Sequence, residues 1–191
     1  MANDKNKLSH FLRARFPYIY MTTYEEERAT KFIKTVACDA NSVKFPREVF
    51  VWTQANGLKN DEKTFPNTTC PCKLIEFITK YEKDSVFILY DFHVYFGKKT
   101  CSGDPNVIRA LRDLIPVLKT GQARKTIIFV SPELNIPDTL QKDIVLYDFP
   151  LPNLEEIKER LNRMLMSNQK ISSEELTEDV KDKLCKAALG L

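Results

Sequence analysis

Apolar residues recur along this chain in two rhythms: short continuous runs, and longer stretches with a spacing of three to four. Leu8, Phe11 and Leu12, with cationic residues between them, predict a helix over residues 5–15. The run Phe16 to Met21 is apolar on both faces and ends in Thr22 and Thr23, which predicts a buried strand. Thr23 followed by Glu26 matches a capping box, so a helix is expected from about Tyr24, with Ala29, Phe32, Ile33 and Val36 on its inner side. EVFVWT, residues 48–53, predicts a second strand stopped at Asn56-Gly57, and the stretch Lys59 to Pro71, with two prolines, reads as a loop. Leu74, Ile75, Phe77, Ile78 and Tyr81 mark another amphipathic helix, followed by the strand Val86 to Tyr90, which closes at Asp91.

After a loop containing Gly97 and Gly103, the positions Val107, Ile108, Leu111, Leu114, Ile115 and Leu118 have helical spacing, with Pro116 expected to kink or break the last turn before Gly121. KTIIFVS (125–131) and DIVLYDF (143–149) predict a fourth and a fifth strand. From Asn153 the pattern turns helical, with Leu154, Ile157, Leu161 and Leu165 on one stripe. Ser172 or Ser173 is placed to cap a final helix over 174–191. That helix meets no stop signal, so the native chain is expected to continue. The expected organisation is an α/β domain over 1–152 and a helical segment over 153–191.

Five strands alternating with helices imply a parallel sheet covered on both faces. The functional crevice of such a sheet lies beyond the carboxyl ends of its strands. The positions to examine are therefore Thr22 to Glu27, Thr53 to Gly57, Asp91 to Gly97, Ser131 to Glu133 and Asp148 to Pro150.

Composition changes this picture little. With 43% apolar residues in 191, the chain can bury one sizeable core. A formal charge of +3 is far from the clustered positive field of a nucleic-acid binder, and the basic residues Lys5, Lys7, Arg13 and Arg15 read as a solvated helix face. No stretch is long and apolar enough to span a bilayer, and the charged amino terminus is unlike a signal peptide, so a cytoplasmic protein without nucleic-acid or membrane partners is expected. Five dispersed cysteines suit reduced thiols. Cys70-Pro71-Cys72 supplies two of the four ligands that a closed zinc site needs, so no metal is expected.

A phosphate-gripping loop after the first strand needs glycines, so that backbone amides can close around the anion, and a lysine to oppose its charge. The corresponding residues here, Thr-Tyr-Glu-Glu-Glu-Arg from Thr23 to Arg28, contain neither, and three carboxylates repel phosphate. Asp91 closes its strand where a magnesium-associated carboxylate would stand, or it caps the following turn. A receiver-like phosphorylation switch at Asp91, with Ser131 after the fourth strand, is a rival reading, but DFPLP after the fifth strand offers it no lysine. Glu26 and Arg28, with Arg109 and Arg112 further on, are candidates for a protein interface, against the plainer reading of Glu25 to Arg28 as a solvated first turn aligned with the helix dipole.

In chain order, FPYIYMTTYEEER, VFVWTQANGL, VFILYDFH, IRALRDL, the stretch from KTIIFVSPEL to PLPNLEEIKERL, and KLCKAALGL resemble the amino-terminal half of a bacterial and plastid group of AAA ATPases. In that group, related to the stage V sporulation type, a degenerate ATPase-like domain precedes an intact one. The resemblance implies a three-layer, P-loop NTPase-like fold with a five-stranded parallel sheet in the order 5-1-4-3-2, and a helical lid that starts after Pro152. It places Asp91 at the Walker B aspartate and Ser131 at the sensor-one position. Thr22, Thr23 and Glu25 fall where the Walker A loop would be, Phe92 replaces the catalytic glutamate, and Gln141, Lys142 and Asp143 stand near the usual arginine finger. The resemblance thus implies a regulatory or assembly module with no cofactor of its own. ATP and magnesium would act in a downstream ATPase domain of the same chain, the full-length protein would be a possible homo-oligomer, and a weak nucleotide-sensing role for this domain is the alternative.

Overall fold

The computed structural model describes residues 2–98, 101–167 and 177–189. They fall into two compact units, 1–149 and 150–191. The first is an α/β unit built on a seven-stranded sheet. Its helices are α1 (Ala2–Arg13), α2 (Glu26–Cys38), α3 (Ala40–Val43), α4 (Pro71–Lys80) and α5 (Pro105–Thr120). Its main-sheet strands are β1 (Tyr18–Thr22), β2 (Glu48–Thr53), β3 (Gly57–Lys59), β4 (Thr64–Phe65), β5 (Ser85–Tyr90), β8 (Lys125–Ser131) and β9 (Ile144–Asp148), while β6 (Gly97–Lys98) and β7 (Cys101–Ser102) pair separately.

The sheet order is β4-β3-β2-β5-β8-β1-β9. The five strands expected from sequence are its parallel part, β9-β1-β8-β5-β2, which is the arrangement 5-1-4-3-2. The count of five is corrected by β3 and β4, which add two short antiparallel strands beyond β2. The last residue of β3 and both residues of β4 fall in the region expected to be loop, the rest of which is irregular. Gly57 turns the hairpin at φ +68°, and a Cβ there would stand 2.8 Å from the Thr68 hydroxyl oxygen. Thr68 holds the hairpin from outside it. Its hydroxyl accepts from the Leu58 amide (2.7 Å) and donates to the Phe65 carbonyl (2.7 Å), and its own carbonyl accepts from the Trp52 indole (2.6 Å).

Both faces of the sheet are covered. Tyr18, Tyr20, Phe50, Trp52, Phe87, Leu89, Ile127 and Phe129 pack with α4 and α5 on one side. Ile19, Met21, Val49, Val86, Ile88, Ile128 and Val130 pack with α1, α2 and α3 on the other. Every residue of β5 and β8 is buried, as their unbroken apolar runs require.

Three boundaries depart from expectation for identifiable reasons. α2 begins at Glu26 rather than near Tyr24, because the Thr23 amide continues the sheet by donating to the Ser131 carbonyl (3.0 Å). Its hydroxyl accepts from the Glu25 amide (3.0 Å), so the capping-box threonine belongs to the strand exit. α4 starts at Pro71, a residue suited to a first turn that has no use for its missing N–H. α5 runs unbroken through Pro116, whose exposed position lets solvent satisfy the carbonyl that loses its partner.

The second unit carries α6 (Leu154–Ser167) and α7 (Glu178–Ala187). A reciprocal cap starts α6: the Asn153 side chain accepts from the Glu156 amide (2.9 Å) and the Glu156 carboxylate from the Asn153 amide (3.0 Å). Lys158 and Asp182 join the two helices at 2.6 Å. The expected caps Ser172 and Ser173 lie outside the described residues. Among those residues no helix is long and apolar enough to cross a membrane.

Candidate functional site

The parallel strands bring together most of the positions picked from sequence. Thr22 pairs in register with Ser131 on one side and Asp148 on the other, and the Asp91 amide donates to the Val130 carbonyl (3.0 Å). Thr22, Thr23, Glu25, Asp91 and Ser131 therefore share the carboxyl edge of β1, β5 and β8. Glu26 and Arg28 join them on the first turn of α2. Arg109 and Arg112 do not: they are exposed on α5, which covers the opposite sheet face from α2, and Arg109 pairs there with Asp113.

Between Thr22 and Arg28 the chain turns from strand to helix without glycine. The Thr23 hydroxyl closes the turn on the Glu25 amide, and the Glu25 carboxylate accepts from Nε and Nη2 of Arg28 at 3.0 and 2.6 Å. That guanidinium also lies 4.1 Å over the Phe149 ring. Glu26 and Glu27 are left at the helix entrance. Partial burial, and then the charge of Asp91, push the Glu26 carboxyl above the usual carboxylate range. Three of the protein's own carboxylates thus stand at the helix N-terminus, where an anion would otherwise be favoured.

Asp91 sits in the left-handed region at φ 51°, and its carboxylate makes no cap hydrogen bond. This removes the turn-capping reading. The carboxylate is exposed and its nearest partner, His93 Nδ1, is 3.9 Å away, too far for a hydrogen bond. Phe92, in the place of a catalytic glutamate, turns inward and is fully buried. Its ring lies 5.4 Å from Trp52, 5.1 Å from Tyr95, 5.8 Å from Phe96 and 5.6 Å from Phe129.

Ser131 also turns inward. Its hydroxyl lies 2.8 Å from that of Tyr20, and both reach the Glu133 carbonyl, at 2.6 and 2.5 Å. The Asn135 amide donates to the Tyr20 hydroxyl at 3.3 Å, while its side chain donates to the carbonyls of His93 and Gly97. Sequence reasoning does not single out Tyr20, Asn135 or Tyr90. Each tyrosine looks like one more aromatic in an apolar run, and only the fold shows that the Tyr90 hydroxyl donates to the Glu26 carbonyl (3.0 Å) and meets the Thr30 hydroxyl.

The remaining candidates lie apart. Gln141 donates to Asp138 at 2.9 Å and Asp143 accepts from Lys119 at 2.6 Å, both at the entry to β9 rather than at the carboxyl edge. Cys70 and Cys72 flank Pro71 at the start of α4, and among the described residues no three His, Cys, Asp or Glu side chains are grouped to hold a metal ion. An open groove of about 560 Å³ runs along α2, floored by Val49, Val51 and Tyr90 and bounded opposite by Lys59, Asn60 and Asp61.

Comparison with known proteins gives the fold a context. Residues 4–149 match the family described as SpoVK-like AAA ATPase, N-terminal domain. The chain is 34% identical over 187 residues to the AAA domain-containing protein ycf46 of Guillardia theta, an alignment covering 94% of this chain and 33% of that protein. It is 32% identical over 166 residues to ycf46 of Gracilaria tenuistipitata var. liui, covering 84% and 31%. The chain therefore spans about a third of the length of these relatives. Among solved structures, a chain of the E. coli MS115-1 HORMA:CdnC:Trip13 complex superposes with a TM-score of 0.61 at 9% identity, covering 96% of this chain and 72% of that one. A RuvB variant from Thermotoga maritima superposes at 0.54 and 14%, covering 97% and 56%. At such identities the likeness is one of fold.

Proposed function

The chain belongs to the family of SpoVK-like AAA ATPase N-terminal domains, and on that premise we propose that it is a non-catalytic, ATPase-like domain that regulates or helps assemble a downstream AAA ATPase domain. The observation that carries this reading is the helix entrance after β1. Glycine-free and lined by Glu25, Glu26 and Glu27, it offers a triphosphate repulsion where amides should converge. Phe92 and Ser131 add to it. The first places a ring in the core where water activation needs a carboxylate, and the second spends its hydroxyl on Tyr20 and Glu133. In this reading the domain holds no nucleotide, and ATP and magnesium act only in the part of the longer protein that lies beyond this chain. The helical unit from residue 150 is the start of a lid, and the full-length protein works as a cytoplasmic oligomer.

Isothermal titration with ATP and magnesium tests the proposal. No saturable heat is expected up to about millimolar nucleotide. Micromolar binding that Asp91→Ala abolishes would overturn it.

A further inference from the structure

The carboxyl edge that holds no phosphate loop has a chemical character of its own. The segments Thr22 to Arg28, Asp91 to Gly97, Ser131 to Ile136 and Asp148 to Phe149 carry the carboxylates of Glu25, Glu26, Glu27, Asp91, Glu133 and Asp148; the Arg28 guanidinium among them is engaged by Glu25, and Lys31, Lys34 and Lys59 line the groove that Glu26 and Glu27 adjoin. This concentration of negative charge stands on a chain whose net charge is +3. The same edge exposes large apolar side chains: Tyr24 at 86%, Val94 at 56% and Leu134 at 55% of their full accessibility, following β1, β5 and β8 respectively. These three side chains put apolar surface at the rim beside the carboxylates.

A second, independent observation says what the contact needs. His93 is more than nine-tenths buried, and its Nδ1 has no hydrogen-bond partner. It faces the Asp91 carboxylate across 3.9 Å. Nδ1 itself is closed to solvent, so the part of this pair open to a partner is the exposed Asp91 carboxylate.

We propose that this edge is a docking surface for a cationic segment of a partner protein, one that sets arginine or lysine side chains between apolar residues. A guanidinium or ammonium group lies against the exposed Asp91 carboxylate, Glu26 and Glu27 supply the surrounding negative field, and Tyr24, Val94 and Leu134 take the apolar neighbours. Charge complementarity selects this occupant: the carboxylates repel nucleic acid and phosphate alike, and the apolar rim favours polypeptide over a free cation. Docking at this edge does not depend on what lies downstream, and nucleotide titration does not test it.

The experiment is an amide NMR titration of the 191-residue protein with a short synthetic peptide alternating arginine and leucine, run beside the same peptide with glutamate in place of arginine. Shifts are expected at Tyr24, Asp91, Val94 and Leu134 with the arginine peptide alone, weakening as salt is raised. Asp91→Asn, which the left-handed backbone tolerates, and Leu134→Ser should each weaken binding about tenfold, while Arg109→Gln on α5 leaves it unchanged. Should Asp91→Asn lose its dispersed spectrum, Glu27→Gln, on an exposed side chain, replaces it with the same expectation. Shifts spread over other faces, equal response to the glutamate peptide, or variants that bind as the parent does would overturn the proposal.

Discussion

Phe92→Glu restores, at the residue after the strand-terminal aspartate, the side chain that phosphoryl-transfer sites of this architecture use, and the structure says that it should damage the protein instead. The Phe92 ring is fully buried and has four aromatic neighbours within 6 Å, namely Trp52, Tyr95, Phe96 and Phe129. Deleting such a ring costs about 3–5 kcal/mol in lost transfer and cavity energy. A glutamate refills part of the volume but brings a carboxyl with no partner in that pocket. Keeping it neutral at pH 7, against an unfolded pKa near 4.3, costs about 3.7 kcal/mol more at roughly 1.4 kcal/mol per pH unit. Together these come to about 5 kcal/mol or more, comparable to the whole stability of many domains.

Guanidinium unfolding followed by the fluorescence of Trp52, the one tryptophan of the chain and a direct neighbour of the substituted ring, reads this loss. Phe92→Gln is the uncharged control. The introduced carboxyl has a raised folded pKa, so its penalty is absent below the unfolded value of about 4.3. The penalty grows as pH rises towards the folded value, and the glutamate and glutamine variants should converge near pH 4. A Phe92→Glu protein within about 1 kcal/mol of the parent at pH 7 would refute the reasoning, since the side chain would then have found solvent at the crevice.

Two further substitutions probe the frame that holds the strand ends. Lys125 is buried, and its ammonium donates to the carbonyls of Ile78, Thr79 and Tyr81 at 2.8, 3.0 and 2.9 Å, closing the carboxyl end of α4. Lys125→Met should cost about 3 kcal/mol in denaturant unfolding and speed amide exchange in the last turn of α4, and an unchanged midpoint would count against the capping role. The Tyr81 hydroxyl, and after it Lys83, hold the Glu48 carboxyl below its ordinary range. That stability is present above the unfolded pKa and lost as pH falls through the folded one. Tyr81→Phe should therefore flatten the acid side of a stability-against-pH curve below about pH 4.5, by under about 1 kcal/mol because Glu48 is partly exposed, and parallel curves would exclude the coupling.

The range of the interactions involved separates the features legible in the chain from those that are not. The central parallel strands are legible because they bury both faces and so appear as unbroken apolar runs, as in Val86 to Tyr90 and Ile127 to Val130, while β2 and β9, partly exposed, still show short β-branched and aromatic runs. The hairpin of β3 and β4 is not, since two strands of two and three residues carry no periodicity and depend on Thr68, a residue outside both. Thr23 shows the same limit in another form. Its hydroxyl does engage a nearby amide, but a tertiary bond to Ser131 on a strand more than a hundred residues away decides that it ends β1 rather than starts α2. At the site, residue types are visible in the sequence and their directions are not. Phe92 and Ser131 stand out as a departure and a match by position, while their inward orientation needs the packing of Trp52 and Phe129 and the placement of Tyr20.

That inward turn gives the polar groups at the strand ends partners from the chain itself. Here the Ser131 and Tyr20 hydroxyls share the Glu133 carbonyl, Asn135 bridges to His93 and Gly97, and Tyr90 ties the end of β5 to the first turn of α2. Each loop following a central strand is thereby bonded to its neighbour, so the edge is ordered by the chain alone. Asp91 and the carboxylates of Glu26 and Glu27 are left facing outward. An edge whose loops are bonded to one another, and whose exposed carboxylates stand beside exposed Tyr24, Val94 and Leu134, suits contact with a protein partner.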